Sequence, residues 1–200
     1  MVKFSGGTAD GLPLTQSLPV SKYNRFPFYA PLYKTTKVYA NGSVNSAYYR
    51  GSIFGWIILT NNAPSGSLVW NKTSGAPGLY PNGFSHEATL LGSHFMAPAL
   101  GTTAVNFTNA ILTLTDGNLS TALVRNVFIK NNGVTVITPT NYSVKLALAA
   151  SKGLFTGSLL HPDNGNKFTP IKGAILQDSD AAGGYFIGIN QGGMMTLEEN

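Results

Sequence analysis

The sequence predicts an all-β protein, an antiparallel β-barrel or a barrel-like sandwich. Three observations carry this reading. Short apolar runs closed by glycine or polar turn clusters recur along the 200 residues, as in antiparallel strands joined by tight connections. Asn41-Gly42 and Asn131-Asn132-Gly133 stand between such runs, where hairpin turns belong. Glu, Lys, Gln and Arg are sparse and 23 glycines interrupt every candidate helical window, so no long amphipathic helix is expected. Usual strand and loop lengths give roughly ten to fourteen strands. A barrel is preferred, because closure removes edges that 10% charged residues would protect poorly.

Taken in order, Lys3-Phe4-Ser5-Gly6 is strand-like, and 8–19 is a loop that Pro13 and Pro19 limit to edge or non-strand structure. Strands are expected over 36–40 and 43–49 around Asn41-Gly42, and 51–60 is a strongly apolar central strand. The 61–66 stretch, with two asparagines, Pro64 and Gly66, turns it into 67–70. Gly75, Pro77, Gly78, Pro81 and Gly83 make 74–83 a long surface loop and a candidate boundary between halves. Further β segments are read at 88–91, 104–107 and 111–115, and the last of these alternates before the Asp116-Gly117 turn. Val124–Lys130 and Val134–Thr138 flank the second hairpin turn, and 142–150 alternates with period two.

The stretch from Gly153 to Leu197 is the densest in glycine-punctuated strands, with Gly153-Leu154-Phe155-Thr156-Gly157 and Gly184-Tyr185-Phe186-Ile187-Gly188. A weaker echo opens the chain: Phe4-Ser5-Gly6, Arg25-Phe26-Pro27-Phe28, Gly51-Ser52-Ile53-Phe54-Gly55 and Gly66-Ser67-Leu68-Val69-Trp70 follow in the same order. One β domain over 1–200 is therefore expected, with degenerate pseudo-repeats over 3–73 and 142–197 and an intervening β segment, 84–140. Chance agreement among glycine- and aromatic-rich strands is the alternative. Together with Ala9-Asp10-Gly11-Leu12-Pro13-Leu14-Thr15-Gln16, this pattern resembles the C-terminal β module of large secreted or surface proteins of planctomycete- and verrucomicrobia-type bacteria. More loosely it resembles transferrin-binding-protein-type β-barrels. The first resemblance spans nearly the whole chain and implies a piece of a larger exported bacterial protein. It carries no catalytic residue with it.

Hydrophobic residues make up 43% of the chain, enough for a sizeable core. The 10% charged fraction lies far below the roughly 25% of an average soluble domain. Asn, Ser, Thr and Gly take their place, which favours an extracellular or cell-surface β protein over a cytosolic enzyme. There is no cysteine, so no disulfide framework and no thiolate chemistry. The net charge of +5 comes from few acids, not a basic block. It reads as an ordinary solvated surface, with weak attraction to acidic polymers as the alternative. No apolar run is long enough for a membrane-spanning helix, and no secretory leader pattern opens the sequence.

Residues 22–56 hold the aromatic cluster. Phe26, Phe28, Phe54 and Trp56 are read as core. The tyrosines, with flat apolar rings and a hydroxyl, suit a stacking platform. The candidate ligand-binding residues are Tyr23, Arg25, Tyr29, Tyr33, Tyr48 and Tyr49. The expected function is a non-catalytic module that binds carbohydrate or a cell-surface polymer, with Asn and Gln bonding sugar hydroxyls. A structural or anchoring domain abutting neighbouring domains is the second reading. A hydrolase using His86, Glu87 and His94 is the third, and single-stranded nucleic acid comes last. His86 and His94 lack metalloprotease spacing, and His161 before Pro162 is expected in a solvent-exposed turn. Asp163-Asn164-Gly165-Asn166 and Asp178-Ser179-Asp180 are the oxygen-rich loops that could hold calcium, though neither has EF-hand spacing. Side-chain-capped turns are the simpler reading of both. No catalytic residue, metal or cofactor is assigned.

Overall fold

Fourteen strands and one short 3-10 turn make up the described chain, in the all-β class that alternation and turn chemistry predict. The computed structural model describes residues 1–139 and 141–200, with the side chains of all but 37–38 and 44–47. Thr140, the end of the 84–140 segment, lies outside the described residues. Two compact units divide the chain, 1–92 and 93–200. The division falls after Gly92, and the 74–83 loop lies within the first unit.

In the first unit β1 (Val2–Gly7) and β2 (Pro13–Leu18) form an antiparallel pair. The expected 8–19 loop thus contains an edge strand that starts on Pro13. β3 (Arg25–Val38), β4 (Val44–Thr60), β5 (Ala63–Lys72) and β6 (Phe84–Leu91) form an antiparallel sheet in that order. Asn61 and Asn62 both take positive φ, 51° and 65°, as a two-residue hairpin turn requires and asparagine tolerates. β5 therefore begins at Ala63 and not after Gly66 as the sequence suggested. Pro64 lies beyond the last β5–β6 pair, Ser65 with Leu91, so its missing N–H breaks no ladder bond. The inner face carries Phe26, Phe28, Leu32, Ile53 and Ile57, with Leu14 in the same core. Phe4 of β1 meets Phe28 edge-on at 5.2 Å.

The hydrogen-bond phase of this sheet fixes which backbone groups face its edges. Leu59 N–H donates to Asn24 O at 2.9 Å, so even-numbered positions of β3 bond to β4 and odd ones face away. Accordingly Arg25 O accepts from Ser21 N–H at 2.9 Å and Tyr29 O accepts from Gln16 Nε2. Pro27 and Pro31 sit at these outward positions, where a proline costs the ladder nothing.

The second unit is an eight-stranded closed barrel. β7 (Asn109–Asp116), β8 (Leu123–Lys130), β9 (Gly133–Thr138), β10 (Val144–Ala149), β11 (Leu154–His161), β12 (Lys167–Leu176), β13 (Ala181–Ile187) and β14 (Gly192–Glu199) pair in sequence order, and β14 returns to β7. Asn131 and Asn132 take positive φ and turn β8 into β9 as expected. The echoed sequence segments fall on β1, β3, β4 and β5 and on β11, β12, β13 and β14. β8 alternates buried and exposed along its whole length. An eight-stranded barrel is just wide enough for side chains to fill it, and Leu112, Leu114, Leu159, Ile171, Met195 and Leu197 are fully buried.

The glycine-and-phenylalanine punctuation is the packing code of this barrel. Phe155 lies opposite Gly173, and a Cβ there would come within 2.1 Å of its ring. Phe186 lies opposite Gly193 with the same separation. The rings cover bare backbone on the neighbouring strands, which leaves no room for a side chain beneath them.

Residues 104–107, expected as a strand, form none. Ala104, Val105 and Phe107 are buried with the barrel core. The irregular chain from His94 to Phe107 is tied to one set of barrel loops through its backbone: Asn132 Oδ1 accepts Ala104 N–H at 3.0 Å, Asp180 Oδ1 accepts Asn106 N–H at 3.1 Å, and Asp178 Oδ2 accepts His94 N–H at 2.9 Å. Such fixed backbone contacts need no strand partner, and consecutive apolar residues do not alternate. At the opposite end Asp163 accepts from Ser120 N–H at 2.9 Å, and Asn118 Oδ1 accepts from Ile189 and Asn190 N–H at 2.9 and 3.0 Å.

Candidate functional site

The outward face of the first unit's sheet gathers exposed aromatics. On β3 the outward side chains are Arg25, Pro27, Tyr29 and Pro31. On β4 they are Ser52, Phe54, Trp56 and Ile58. Pairing sets Tyr29 opposite Phe54 and Pro27 opposite Trp56. These are non-hydrogen-bonded pairs by the phase above, the kind in which opposed side chains come closest, with Cα atoms about 4.5 Å apart. Tyr29 is 59% exposed, Phe54 40% and Trp56 59%. On this face the next two strands carry Ser65, Ser67, Asn71, Ser85, Glu87 and Thr89, with Val69 opposite Phe54 and Leu91 at the end of β6 as the apolar exceptions. Ser67 of β5 donates to Glu87 of β6, and Ser85 Oγ donates to Asn71 Oδ1 at 2.6 Å. The face is thus aromatic on β3–β4 and rich in hydroxyl, amide and carboxylate groups on β5–β6. Strand geometry makes it about 14 Å across and about 20 Å long.

The placement of Phe54 and Trp56 corrects the sequence reading, which put them in the core. The run from Ile53 to Ile58 is apolar on both faces, and such a strand reads as buried on both. Here only Ile53 and Ile57 are covered. Pairing β4 with β3 in the observed register was the missing signal.

The six predicted residues do not converge. Tyr29 lies on the platform and Arg25 at its corner, opposite Ile58. Tyr23 is exposed in the turn before β3, with Lys22 Nζ 4.9 Å from its ring centroid. Tyr48 and Tyr49 are exposed, but consecutive strand residues point to opposite faces. Tyr48 also stands six residues from Phe54 along β4, about 20 Å away.

Tyr33 is buried, 3% exposed, against the expectation of a solvent-facing ring. Strict alternation would turn it outward with Tyr29 and Pro31. A φ of 56° at Tyr33 breaks the alternation and swings the ring inward beside Leu32. Gly51 makes room, since a Cβ there would lie 2.6 Å from the ring. The Tyr33 hydroxyl donates to Asp10 Oδ2 at 2.6 Å and accepts from Trp70 Nε1 at 3.1 Å. Burial, then Asp10, push its pKa far above the usual phenol value. Lys72 Nζ lies 4.4 Å from the ring centroid and donates to Pro77 O at 2.8 Å and to Leu79 O. Burial lowers the Lys72 pKa, and Asp10 opposes that. The cluster braces the 73–83 loop from within and presents no free group to a substrate.

A cavity of about 190 Å³ lies on the inner side of the sheet, lined by Phe4, Leu14, Phe28, Ile57, Leu68 and Trp70 among others. Its Thr8 hydroxyl is already engaged with Asp10.

The proposed hydrolase trio does not assemble on β6. His86 pairs with Trp70 and Glu87 with Val69, so their side chains point to opposite faces of the sheet. Among the described residues, no group of three His, Cys, Asp or Glu could hold a metal. The two oxygen-rich loops spend their carboxylates on N–H groups: Asp163 on Ser120, Asp178 on His94 and Asp180 on Asn106. The Asp178 carboxyl is held below the usual range, first by the His94 N–H and then by Ser93.

Two ionisable residues inside the barrel escaped the sequence reading. His161, expected in solvent, is fully buried, and its Nε2 is 2.8 Å from Gly117 O. It belongs to the inward set Phe155, Leu159 and His161 of β11, a period-two signal that its turn-like neighbours hid. Arg125 occupies an inward position of β8 and donates to Val124 O and Asn141 O, both at 2.9 Å. Burial lowers its pKa.

No helix among the described residues is long and apolar enough to cross a membrane. No family model matches the chain, and no curated protein or solved structure matches it either.

Proposed function

We propose that the protein is a non-catalytic binding module that takes an uncharged polysaccharide on the outward face of its first unit, at the cell surface or outside the cell. What supports this is one observation: Tyr29, Phe54 and Trp56 stand adjacent and exposed beside a hydroxyl- and amide-bearing half-face. A sugar ring has an apolar C–H face and a rim of hydroxyls. It would stack on the aromatic half while its rim bonds to Ser67, Asn71, Ser85 and Glu87. The low charge of the face suits a neutral ligand.

The test is a glycan array with insoluble-polysaccharide pull-down, comparing the wild type with Trp56→Ala and Tyr29→Ala. Loss of at least tenfold in affinity, about 1.4 kcal/mol, is expected in each variant with folding unchanged. Tyr48→Ala/Tyr49→Ala should bind as the wild type does. No glycan bound, or binding indifferent to Trp56, would sink the reading.

A second reading is favoured by the same strand. β4 is apolar on both faces, which suits a face covered by a neighbouring domain of a larger exported protein. In that case the Trp56 and Tyr29 variants would weaken docking of that domain and leave glycans irrelevant.

A further inference from the structure

The first unit's sheet ends in two unlike edges. Over residues 25–31 of β3 the outward positions are two prolines and two carbonyls already taken by Ser21 and Gln16. β6 has none of these protections: no proline, no bulge and no lysine over its eight residues. Carrying the hydrogen-bond phase across the sheet, even-numbered positions of β6 bond to β5. Ser85, Glu87, Thr89 and Leu91 turn their N–H and C=O groups to the open side, and all four side chains are exposed. Such an edge is a template for another strand.

We infer that β6 pairs antiparallel with the β6 of a second copy of this chain about a two-fold axis through Ala88. With its first seven residues blocked, β3 offers no open edge as long as β6, which disfavours the head-to-tail alternative, in which β6 of one copy would add to β3 of the next and build an open chain. Self-pairing through β6 closes with two copies.

The register follows from the residues. A two-fold axis normal to the sheet pairs positions of equal parity. Centring on Glu87 would set two carboxylates directly opposite, which is destabilising. Centring on His86 or Thr89 shortens the overlap. Centring on Ala88 pairs Ser85 with Leu91 and Glu87 with Thr89, each twice, for about eight backbone hydrogen bonds. It sets Ala88 against its own mate in a non-hydrogen-bonded pair, with Cα atoms about 4.5 Å apart. The result is one continuous sheet of eight strands with both outward faces on the same side. A polymer bound to those faces would then engage two platforms at once. That consequence rests on the proposed function, but the pairing does not.

The chain has no cysteine, so Ala88→Cys introduces the only thiol. The Cα separation of the pair falls within disulfide reach. In the full chain under mild oxidation, Ala88→Cys should become a disulfide-linked dimer as the major species, and Ser85→Cys should not. Wild type should sediment as a dimer at about 100 μM, with no glycan present. Thr89→Pro removes an outward N–H without touching the β5 ladder and should sediment as a folded monomer. A monomeric wild type, or a dimer in which Ala88→Cys stays reduced while Ser85→Cys cross-links, overturns the inference. Glycan binding by a monomer would leave the proposed function standing and the dimer refuted.

Discussion

Replacing Tyr33 with phenylalanine separates a buried brace from a binding residue. The substitution keeps the ring, and so keeps the packing against Gly51 and the Lys72 contact at 4.4 Å. It removes only the hydroxyl, which donates to Asp10 at 2.6 Å and accepts from Trp70 at 3.1 Å. A hydrogen bond to a charged group contributes about 1.5–3 kcal/mol, and an orphaned indole N–H costs about 1 kcal/mol or more. Asp10 is half-exposed and recovers part of its loss from water. The net expectation is about 2–3 kcal/mol. For a unit of this size, each kcal/mol moves the melting midpoint by about 4–8 °C, so a drop of about 8–24 °C follows. The assay has a built-in reporter, because both tryptophans, Trp56 and Trp70, belong to the first unit. Urea unfolding followed by tryptophan fluorescence therefore reads that unit without the barrel. Glycan binding by the folded Tyr33→Phe protein should match the wild type. A stability loss under about 0.5 kcal/mol would refute the bracing network, and lost binding in a folded variant would return Tyr33 to the ligand site.

Two further predictions concern the barrel. Gly173→Ala places a Cβ 2.1 Å from the Phe155 ring and 2.3 Å from Gly183 O, and should cost about 1–3 kcal/mol by overpacking. At Gly183 a Cβ meets nothing within 4 Å, so Gly183→Ala should stay within about 0.5 kcal/mol of wild type. Equal effects in calorimetry would refute the ring-over-glycine account. Asp178 has a folded-state pKa below its ordinary 3.8, so its stabilisation is present above about pH 4 and is lost as pH falls through the lower folded value. The gap in barrel melting midpoint between wild type and Asp178→Asn should be widest near neutrality and close in strong acid. A gap independent of pH would show that the charge contributes nothing.

The barrel was legible because its devices are local. Asn131 and Asn132 carry their own turn geometry, β8 alternates without a break, and each ring-and-glycine pair leaves a mark in sequence. The site was less legible because it depends on pairing. Whether Trp56 is core or platform is decided by what lies over β4, and composition does not say. Tyr33 was misplaced by a single left-handed residue, a local departure that period-two counting cannot see. Residues 104–107 were read as a strand from their apolar content, yet they are buried as irregular chain held by Asn132 and Asp180 from distant loops. His161 was hidden by its place at the end of a strand, where the inward phase of β11 runs into a turn.

Seven of the barrel's eight seams join consecutive strands, and the eighth joins β14 to β7. During synthesis the seven can form as the chain emerges, but the last must wait. Asp116 meets Gly193 only after the roughly 80 residues between them have been made, about 4–16 s at ordinary elongation rates. Over that interval β7 is an open edge and the core around Leu112 and Leu114 is unsealed. The first unit, complete by Gly92, has no such wait. A ribosome that stalls before β14 therefore leaves an unclosed sheet with a bare edge, the form most exposed to proteases and to pairing with other chains.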